Sequence, residues 1–232
     1  MIDLADVAEW LTARRAGRSP FVIGVTGGVA AGKSAFAAAL AAHFPPGAPP
    51  AVEIVGTDGF LFDNAALESR GLLNRKGFPE TYDTASLRGA LAAICAGAAD
   101  FPGYSHMLYD IDPALTRRLA RPDVLIVEGL GLQDGAAASG LDLLIYLDAD
   151  EAHLETWFTE RFMNFWRAAE TDPASFYARF RHMSESEARA FAGVVWRGIN
   201  LPNLREHISR AKPVADLVVR KGADHGIVEL LG

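Results

Sequence analysis

The sequence predicts an α/β protein in which helices cover both faces of a mostly parallel sheet. Short apolar runs that are typical of buried strands alternate with helical patterns along much of the chain. These runs are residues 21–25, 52–56, 124–127, 141–147 and 215–219. Because strands separated by helices pair in parallel, we expect a three-layer α/β/α arrangement that binds its ligands at the carboxyl edge of the sheet.

Helical periodicity covers residues 4–15, 34–43, 84–96, 151–169, 173–181 and 184–200. The last three segments follow one another with no strand between them. We therefore predict that residues 151–205 fold over the carboxyl edge of the sheet as a helical lid or substrate cap. A plain helical layer packed on the sheet is the alternative. No repeat or linker divides residues 1–232, which favours a single domain.

A phosphate-binding loop, GxxxxGK[ST], lies between the first predicted strand and the helix that follows it. Its members are Gly27, Gly28, Val29, Ala30, Ala31, Gly32, Lys33 and Ser34. Glycines let backbone N–H groups surround a phosphate, Lys33 reaches the β- and γ-phosphates, and the Ser34 hydroxyl can ligate Mg²⁺. The motif predicts a P-loop NTPase, and an ordinary glycine-rich turn is the alternative.

Acidic residues follow three of the predicted strands. Asp58 is the candidate catalytic base of a kinase that acts on a hydroxyl group, although the same residue could cap the next turn. Glu128 stands where a Walker-B carboxylate would lie, which predicts a Mg²⁺ site shared with Ser34. Asp148 is expected to cap the helix that follows it.

Polar side chains that suit a small-molecule pocket cluster in the predicted loop 104–110. Tyr104, His106 and Tyr109 could form one wall of such a pocket, with a purely structural role as the alternative for His106. Arg161 follows an apolar stripe in the predicted lid. Its guanidinium is the cation expected to reach into the site.

The composition argues against several classes of protein. Half of the 232 residues are hydrophobic, and the net charge of −7 with scattered basic residues provides no surface for a nucleic acid. Residues 1–18 lack the features of a signal peptide, and no apolar run approaches the roughly 18–20 residues of a membrane span. We expect a cytoplasmic protein with no membrane partner. The single cysteine, Cys95, is expected to be a small core residue, and residues 134–140 a mobile loop.

Taken in order, the motifs resemble those of the type I (bacterial) pantothenate kinases, a P-loop kinase group that also includes uridine kinase and phosphoribulokinase. The resemblance runs from residue 21 almost to the C-terminus. It rests on 27–34, 57–60, 70–72, 76–80, 82–83, 104–106, 109–110, 128–130, 156–157, 161–162, 171–173, 196 and 199–200.

The resemblance implies a kinase that begins coenzyme A biosynthesis by phosphorylating pantothenate. In that reading Lys33 and Ser34 bind ATP and Mg²⁺, and Asp58 is the base on the pantothenate hydroxyl. Four residues match substrate-pocket positions: Tyr104, His106, Arg161 and Asn200. Arg161 would act near the transferred phosphate, while Asn200 could otherwise be a helix C-cap. A homodimer is also implied.

The chain departs from the family at several positions. Phe158 replaces a pocket tyrosine, and Phe176 and Phe180 stand where tyrosine is usual. Each change removes a hydroxyl from the predicted pocket, which can alter the preferred substrate. Ala38 replaces a basic residue that the family uses to bind the inhibitor coenzyme A. Two other functions therefore remain open: a kinase of the same family that acts on a sugar, nucleoside or other polyol, and a nucleotide-binding regulator or NTPase.

Overall fold

The computed structural model describes residues 3–44 and 52–232. Its strands are β1 (Phe21–Gly27), β2 (Val52–Gly56), β3 (Ala98–Ser105), β4 (Asp110–Ala120), β5 (Val124–Glu128), β6 (Leu143–Asp148), β7 (Leu217–Lys221) and β8 (Ile227–Leu231). Its α-helices are α1 (Leu4–Arg15), α2 (Lys33–Ala41), α3 (Asn64–Ser69), α4 (Thr84–Ala96), α5 (Ala136–Ser139), α6 (Glu151–Ala168), α7 (Glu185–Val195) and α8 (Leu201–Glu206).

Six strands form the central sheet in the order β2-β5-β1-β6-β7-β8. The first five run parallel, and β8 pairs antiparallel with β7 at the edge. Apolar side chains of β1, β5 and β6 are almost fully buried, as expected for strands covered on both faces. The predicted α/β/α architecture with a mostly parallel sheet is confirmed.

Two predicted strands begin later than their apolar runs because an aspartate side chain occupies the start of each. The Asp142 carboxylate accepts the Val22 N–H at 2.9 Å, so β6 begins at Leu143. In the same way the Asp216 carboxylate accepts the Leu144 N–H at 2.8 Å, and β7 begins at Leu217. The predicted strand at 52–56 matches β2.

The sequence interpretation missed a β-hairpin. Residues 104–110, predicted as a loop, join β3 to β4 in a separate two-stranded antiparallel sheet. Most of β4 is exposed, so it lacks the alternation of apolar and polar residues that marks a half-buried strand. The edge strand β8 was missed for a related reason, since it is short and largely exposed.

Several predictions for the helical regions were wrong. Residues 173–181 form a 3₁₀ turn at Phe176–Phe180 rather than a helix, and residues 134–140 contain α5. Asp150, not Asp148, is the N-cap residue of α6. Asp148 instead accepts hydrogen bonds from Lys212 and Arg220 at the end of β6.

The predicted helix 184–200 does not end at Asn200. A π turn at Trp196–Asn200 links α7 directly to α8, so Asn200 is not a C-cap. Pro202 has no N–H to donate to the carbonyl of residue 198, which favours an irregular turn at this place. Cys95 is also misassigned, because it lies exposed on α4 rather than in the core.

The apolar interior divides into two clusters. The larger one surrounds the sheet, and the smaller one packs α6 against α7 around Phe162, Met163 and Trp166. The aromatic side chains of Phe158, Tyr177, Phe180 and Phe191 border this second cluster. Part of the predicted lid therefore has a small core of its own, while Leu154, Trp196 and Leu204 of the same range belong to the larger cluster.

None of the helices that the structure describes combines the length and apolar character needed to cross a bilayer.

Replacing Leu144 by alanine should lower the free energy of unfolding by about 2–5 kcal/mol, because it opens a cavity beside β6, an inner strand of the sheet. The Leu144 side chain is fully buried. Urea denaturation followed by circular dichroism measures the loss. Leu231→Ala, the same change at a 48% exposed position, is the matched control and should have little effect. Equal losses in the two variants would contradict the described packing.

Candidate active site

The site lies at the edge of the sheet where the C-terminal ends of the neighbouring strands β2, β5 and β1 lie side by side. The register pairs Gly56 of β2 with Glu128 of β5, and Glu128 with Val25 of β1. The segments that follow these three strands are therefore neighbours. They carry Asp58, the glycine after Glu128 and the phosphate-binding loop, and this edge is where open α/β sheets bind ligands.

The phosphate-binding loop follows β1 and leads into α2, as predicted. Gly27 has φ 144°, and a Cβ atom there would lie 2.4 Å from the Leu147 carbonyl oxygen. Gly32 is the N-cap residue of α2 with φ 82°. Both positions need glycine because a side chain would be strained or would clash. The helix N-terminus then faces the space that the loop encloses.

Lys33 places its ammonium group over this loop. Its Nζ donates to the carbonyl oxygens of Gly27 at 3.2 Å and Gly28 at 3.0 Å. Burial lowers the pKa of Lys33, while the nearby Glu128 and Asp58 carboxylates act in the opposite direction. The charges of both acidic groups of the site therefore act on Lys33.

Ser34 and Glu128 meet as the sequence predicted. The Ser34 hydroxyl donates to Glu128 Oε1 at 2.8 Å. Burial raises the pKa of Glu128, and the charge of Lys33 and the Ser34 hydrogen bond partly offset this. A hydroxyl and a carboxylate oxygen side by side, next to a phosphate-binding loop, fit Mg²⁺, which commonly takes few protein ligands and fills its other positions with phosphate and water.

Asp58 lies in a 3₁₀ turn, Thr57–Phe60, that is held by two close backbone approaches. A Cβ atom on Gly59 would lie 1.9 Å from the Pro102 carbonyl oxygen in β3. On the other side, a Cβ atom on Gly129 would lie 1.9 Å from Thr57 Oγ1. The two glycines let the turn lie between β3 and the end of β5, beside Glu128.

The Asp58 side chain does not cap the turn. It accepts a hydrogen bond from the Tyr82 hydroxyl at 3.1 Å instead. Burial and the Asp58 charge raise the pKa of Tyr82 well above its usual value, so Tyr82 remains a proton donor. The sequence interpretation included Tyr82 only as part of a motif and assigned it no role. The sequence signal that could have pointed to this role was a tyrosine hydroxyl in the segment between two predicted strands.

The β3–β4 hairpin brings Tyr104, His106 and Tyr109 together. The Tyr104 ring centroid lies 5.2 Å from that of His106 and 6.3 Å from that of Tyr109. Tyr109 has φ 57° and stacks on Phe176 at 4.5 Å. Burial raises the pKa of Tyr109 to about 12. Tyr104, His106 and Tyr109 thus lie side by side, and we call these three side chains the hairpin face.

Lys76, which the sequence interpretation also left without a role, supports this hairpin. Its buried Nζ donates to the Tyr109 carbonyl oxygen at 2.7 Å and to Asn64 Oδ1 at 2.6 Å. It also lies 4.9 Å from the centre of the Tyr104 ring and 4.8 Å from that of Tyr109. A lysine in a glycine-containing segment gave no pattern that could reveal this position in advance.

Arg161 of α6 reaches the same site. Its Nη2 lies 3.5 Å from His106 Nδ1. Burial lowers the pKa of His106, and the positive charge of Arg161 lowers it further. The same positive charge also acts to lower the pKa values of Lys33 and Glu128.

Two predicted substrate residues are not joined to this group by the described contacts. Asn200 is half-buried in the π turn and forms no side-chain hydrogen bond there within the described residues. Phe158 packs against Trp196 with ring centroids 5.8 Å apart. Their role in substrate binding stays a prediction.

Comparison with known proteins gives concordant results. The sequence model of the "Phosphoribulokinase / Uridine kinase family" matches residues 22–158, more than half of the chain. A pantothenate kinase from Sorangium cellulosum is 45% identical over 236 residues, which cover 97% of this chain and 76% of that relative. A pantothenate kinase from Rhizobium rhizogenes is 41% identical, with 96% and 71% covered.

Among solved structures, a protein described as a fructose transport system kinase from Silicibacter sp. TM1040 is similar over most of its length. The TM-score is 0.69 at 25% identity, and the match covers 94% of this chain and 99% of that protein. The overall fold of this chain is thus shared with a solved structure.

Replacing Arg161 by glutamine should raise the pKa of His106, because removal of a neighbouring positive charge favours the imidazolium form. NMR titration of the histidine side chains measures the shift, and a His106→Gln variant assigns the signal. Arg189→Gln is the control, since Arg189 pairs with Glu160 on the exposed surface of α7. An unchanged His106 titration in Arg161→Gln would contradict the described contact.

Proposed function

We propose that this chain transfers the γ-phosphoryl group of ATP to the hydroxyl of pantothenate. The reason is that the chain belongs to the phosphoribulokinase/uridine kinase family and within it to the pantothenate kinases. Family membership makes the chain an ATP-dependent phosphotransferase with an alcohol acceptor, and ATP and Mg²⁺ are its cofactors. Phosphorylation of pantothenate is the first step of coenzyme A biosynthesis.

The observation that carries the mechanism is the placement of Asp58 beside the phosphate-binding loop. The Tyr82 hydrogen bond orients the carboxylate of Asp58, and Gly59 and Gly129 hold the turn that presents it. Asp58 accepts the proton of the acceptor hydroxyl as that oxygen bonds to the γ-phosphorus. The bond from the γ-phosphorus to the bridging oxygen breaks, and ADP leaves with that oxygen.

The remaining charges of the site act on the transferred group. Lys33 binds the β- and γ-phosphates when it turns from the loop carbonyls to the nucleotide. Ser34 and Glu128 would hold Mg²⁺, which neutralises phosphate charge when bound. Arg161 supplies a further cation from α6, and His106 remains neutral beside it because burial and Arg161 both lower its pKa. This arrangement accelerates transfer mainly by positioning and by electrostatic stabilisation.

The acceptor pocket is bordered by the hairpin face of Tyr104, His106 and Tyr109. Residues 151–205 carry Arg161, Phe158 and Asn200, and the separate apolar cluster between α6 and α7 supports movement of this part as a lid. The resemblance to pantothenate kinases also supports a homodimer. Both the lid and the dimer stay proposals.

A second acceptor class is supported by the absence of tyrosine at three positions. Phe158 packs on Trp196, Phe176 stacks on Tyr109, and Phe180 borders the apolar cluster between α6 and α7. None of these rings can hydrogen-bond a substrate. A sugar, nucleoside or other polyol is therefore the alternative acceptor for the same phosphoryl-transfer chemistry.

A coupled ADP-release assay with Mg·ATP should show stimulation by pantothenate and little by sugars, nucleosides or polyols, because the chain belongs with the pantothenate kinases. Stimulation only by another acceptor would overturn the choice of pantothenate and retain the kinase chemistry. Equal ATP hydrolysis with and without every acceptor would indicate a nucleotide-binding regulator or NTPase.

Replacing Asp58 by asparagine should reduce kcat by roughly 10²- to 10⁴-fold, since the amide cannot accept the hydroxyl proton. Calorimetric ATP affinity and Tm should stay near those of the parent. Asp100→Asn is the control, because Asp100 pairs with Arg118 on the exposed surface of the hairpin. Normal turnover of Asp58→Asn would rule out Asp58 as the base.

A further inference from the structure

A buried lysine from a distant part of the chain touches the phosphate-binding loop. Lys221, the last residue of β7, is only 7% exposed. Its Nζ donates to the Ala31 carbonyl oxygen at 2.8 Å. Among the described residues its other polar neighbour is His225 Nδ1 at 3.4 Å, and the Trp157 ring centroid lies 5.7 Å away.

A lysine at such a buried position lowers the stability of the folded protein. Burial lowers the pKa of Lys221, and no carboxylate among the described residues offsets that effect. An ammonium group without a paired carboxylate costs stability, and an apolar side chain of similar size would avoid the cost. Packing alone therefore does not account for a cation here. Its hydrogen bond to the loop is the contact that distinguishes it.

The hydrogen bond determines how one peptide group of the loop is oriented. The Ala31 carbonyl and the Gly32 N–H belong to the same trans peptide unit, so they point in opposite directions. With the carbonyl directed at Lys221, the Gly32 N–H is directed away from it. That N–H donates to no group within the described residues, so it is available to a bound anion.

The backbone around this peptide needs such support. Ala30 has φ 65° and Gly32 has φ 82°, so left-handed residues precede and follow Ala31, whose carbonyl Lys221 contacts. A non-glycine residue in that region is uncommon and persists when neighbouring structure holds it. Lys221 is close enough to do so, since a Cβ atom on Gly32 would lie 2.9 Å from its Nζ.

The position of Lys221 is in turn held by α6. Trp157 Nε1 donates to the Ala223 carbonyl oxygen at 3.2 Å in the β7–β8 turn. The Trp157 ring also stacks on His225, with centroids 3.8 Å apart and planes inclined by 22°. The turn that follows Lys221 is therefore attached to the helix that also carries Arg161.

We propose that Lys221 is a positioning residue for nucleotide binding: its ammonium group orients the Ala31–Gly32 peptide so that the Gly32 N–H faces the phosphate chain. The proposal rests on binding of ATP by the phosphate-binding loop. It is independent of which acceptor is phosphorylated, and it assigns Lys221 no part in proton transfer.

The test compares Lys221→Met and Lys221→Arg with the parent protein by calorimetric titration of ATP without acceptor. Lys221→Met should weaken ATP binding by about tenfold or more, the effect of losing a charge-assisted hydrogen bond. Its Tm should be unchanged or higher, because a buried unpaired cation is removed. Lys221→Arg, which keeps the cation, should recover part of the affinity. KM for the acceptor at saturating ATP should not change.

Lys212→Met is the matched control. Lys212 lies at the same edge of the sheet but bonds to Asp148 at 2.9 Å rather than to the loop. Unchanged ATP affinity in Lys221→Met would overturn the proposal, as would equal weakening by Lys212→Met, which would indicate general electrostatic attraction.

Inorganic tripolyphosphate, used as a competitive inhibitor against ATP, separates phosphate contacts from contacts to the base or ribose. Its inhibition constant should weaken in Lys221→Met by the same factor as ATP affinity. A weaker ATP affinity with unchanged tripolyphosphate inhibition would show that Lys221 acts on the nucleoside part, and would also overturn the proposal. Failure of pantothenate turnover would leave all of these binding results unaffected.

Discussion

Close approach of backbone segments at the carboxyl edge of the sheet is the constraint on which the site depends. Gly27 lies against the Leu147 carbonyl, Gly59 against the Pro102 carbonyl, and Gly129 against the Thr57 side chain. At each position a Cβ atom would overlap its neighbour by more than a small shift can relieve. The phosphate-binding loop, the Asp58 turn and the end of β5 can therefore lie side by side only because these residues have no side chain.

This close packing brings opposite charges into one partly buried region. Lys33 and Arg161 lie among Asp58 and Glu128, and the charges of their neighbours act on the pKa values of Lys33 and Glu128. In a partly buried site such interactions are stronger than in water, and the charged groups are in place before the nucleotide binds. Buried tyrosines and the neutral His106 surround the charges with hydrogen-bonding groups that carry no charge themselves. The site is thus suited to bind a highly charged phosphate chain on one side and a small polar acceptor on the other.

Support for the site comes from elements far from it in the sequence. Lys76 holds the hairpin through the Tyr109 carbonyl, and Lys221 holds the phosphate-binding loop through the Ala31 carbonyl. Both lysines are buried, and each uses its ammonium group on a backbone oxygen. Helix α6 contributes both Arg161 and, through Trp157, the anchoring of the turn next to Lys221. A displacement of α6 would therefore move Arg161 and also the turn next to Lys221, which contacts the phosphate-binding loop.

The sequence by itself determined the parallel sheet, the phosphate-binding loop and the meeting of Ser34 with Glu128. These features depend on local patterns: apolar runs, a glycine motif and charged residues at strand ends, whose relative placement follows from the rules of parallel sheets. Only the tertiary structure decided the β3–β4 hairpin, the π turn before Asn200 and the partners of Tyr82 and Lys221. An exposed strand has no apolar alternation, and a hydrogen bond between residues 31 and 221 leaves no trace in either segment alone. Such contacts arise when the chain folds, because they join groups whose local sequences are independent of one another.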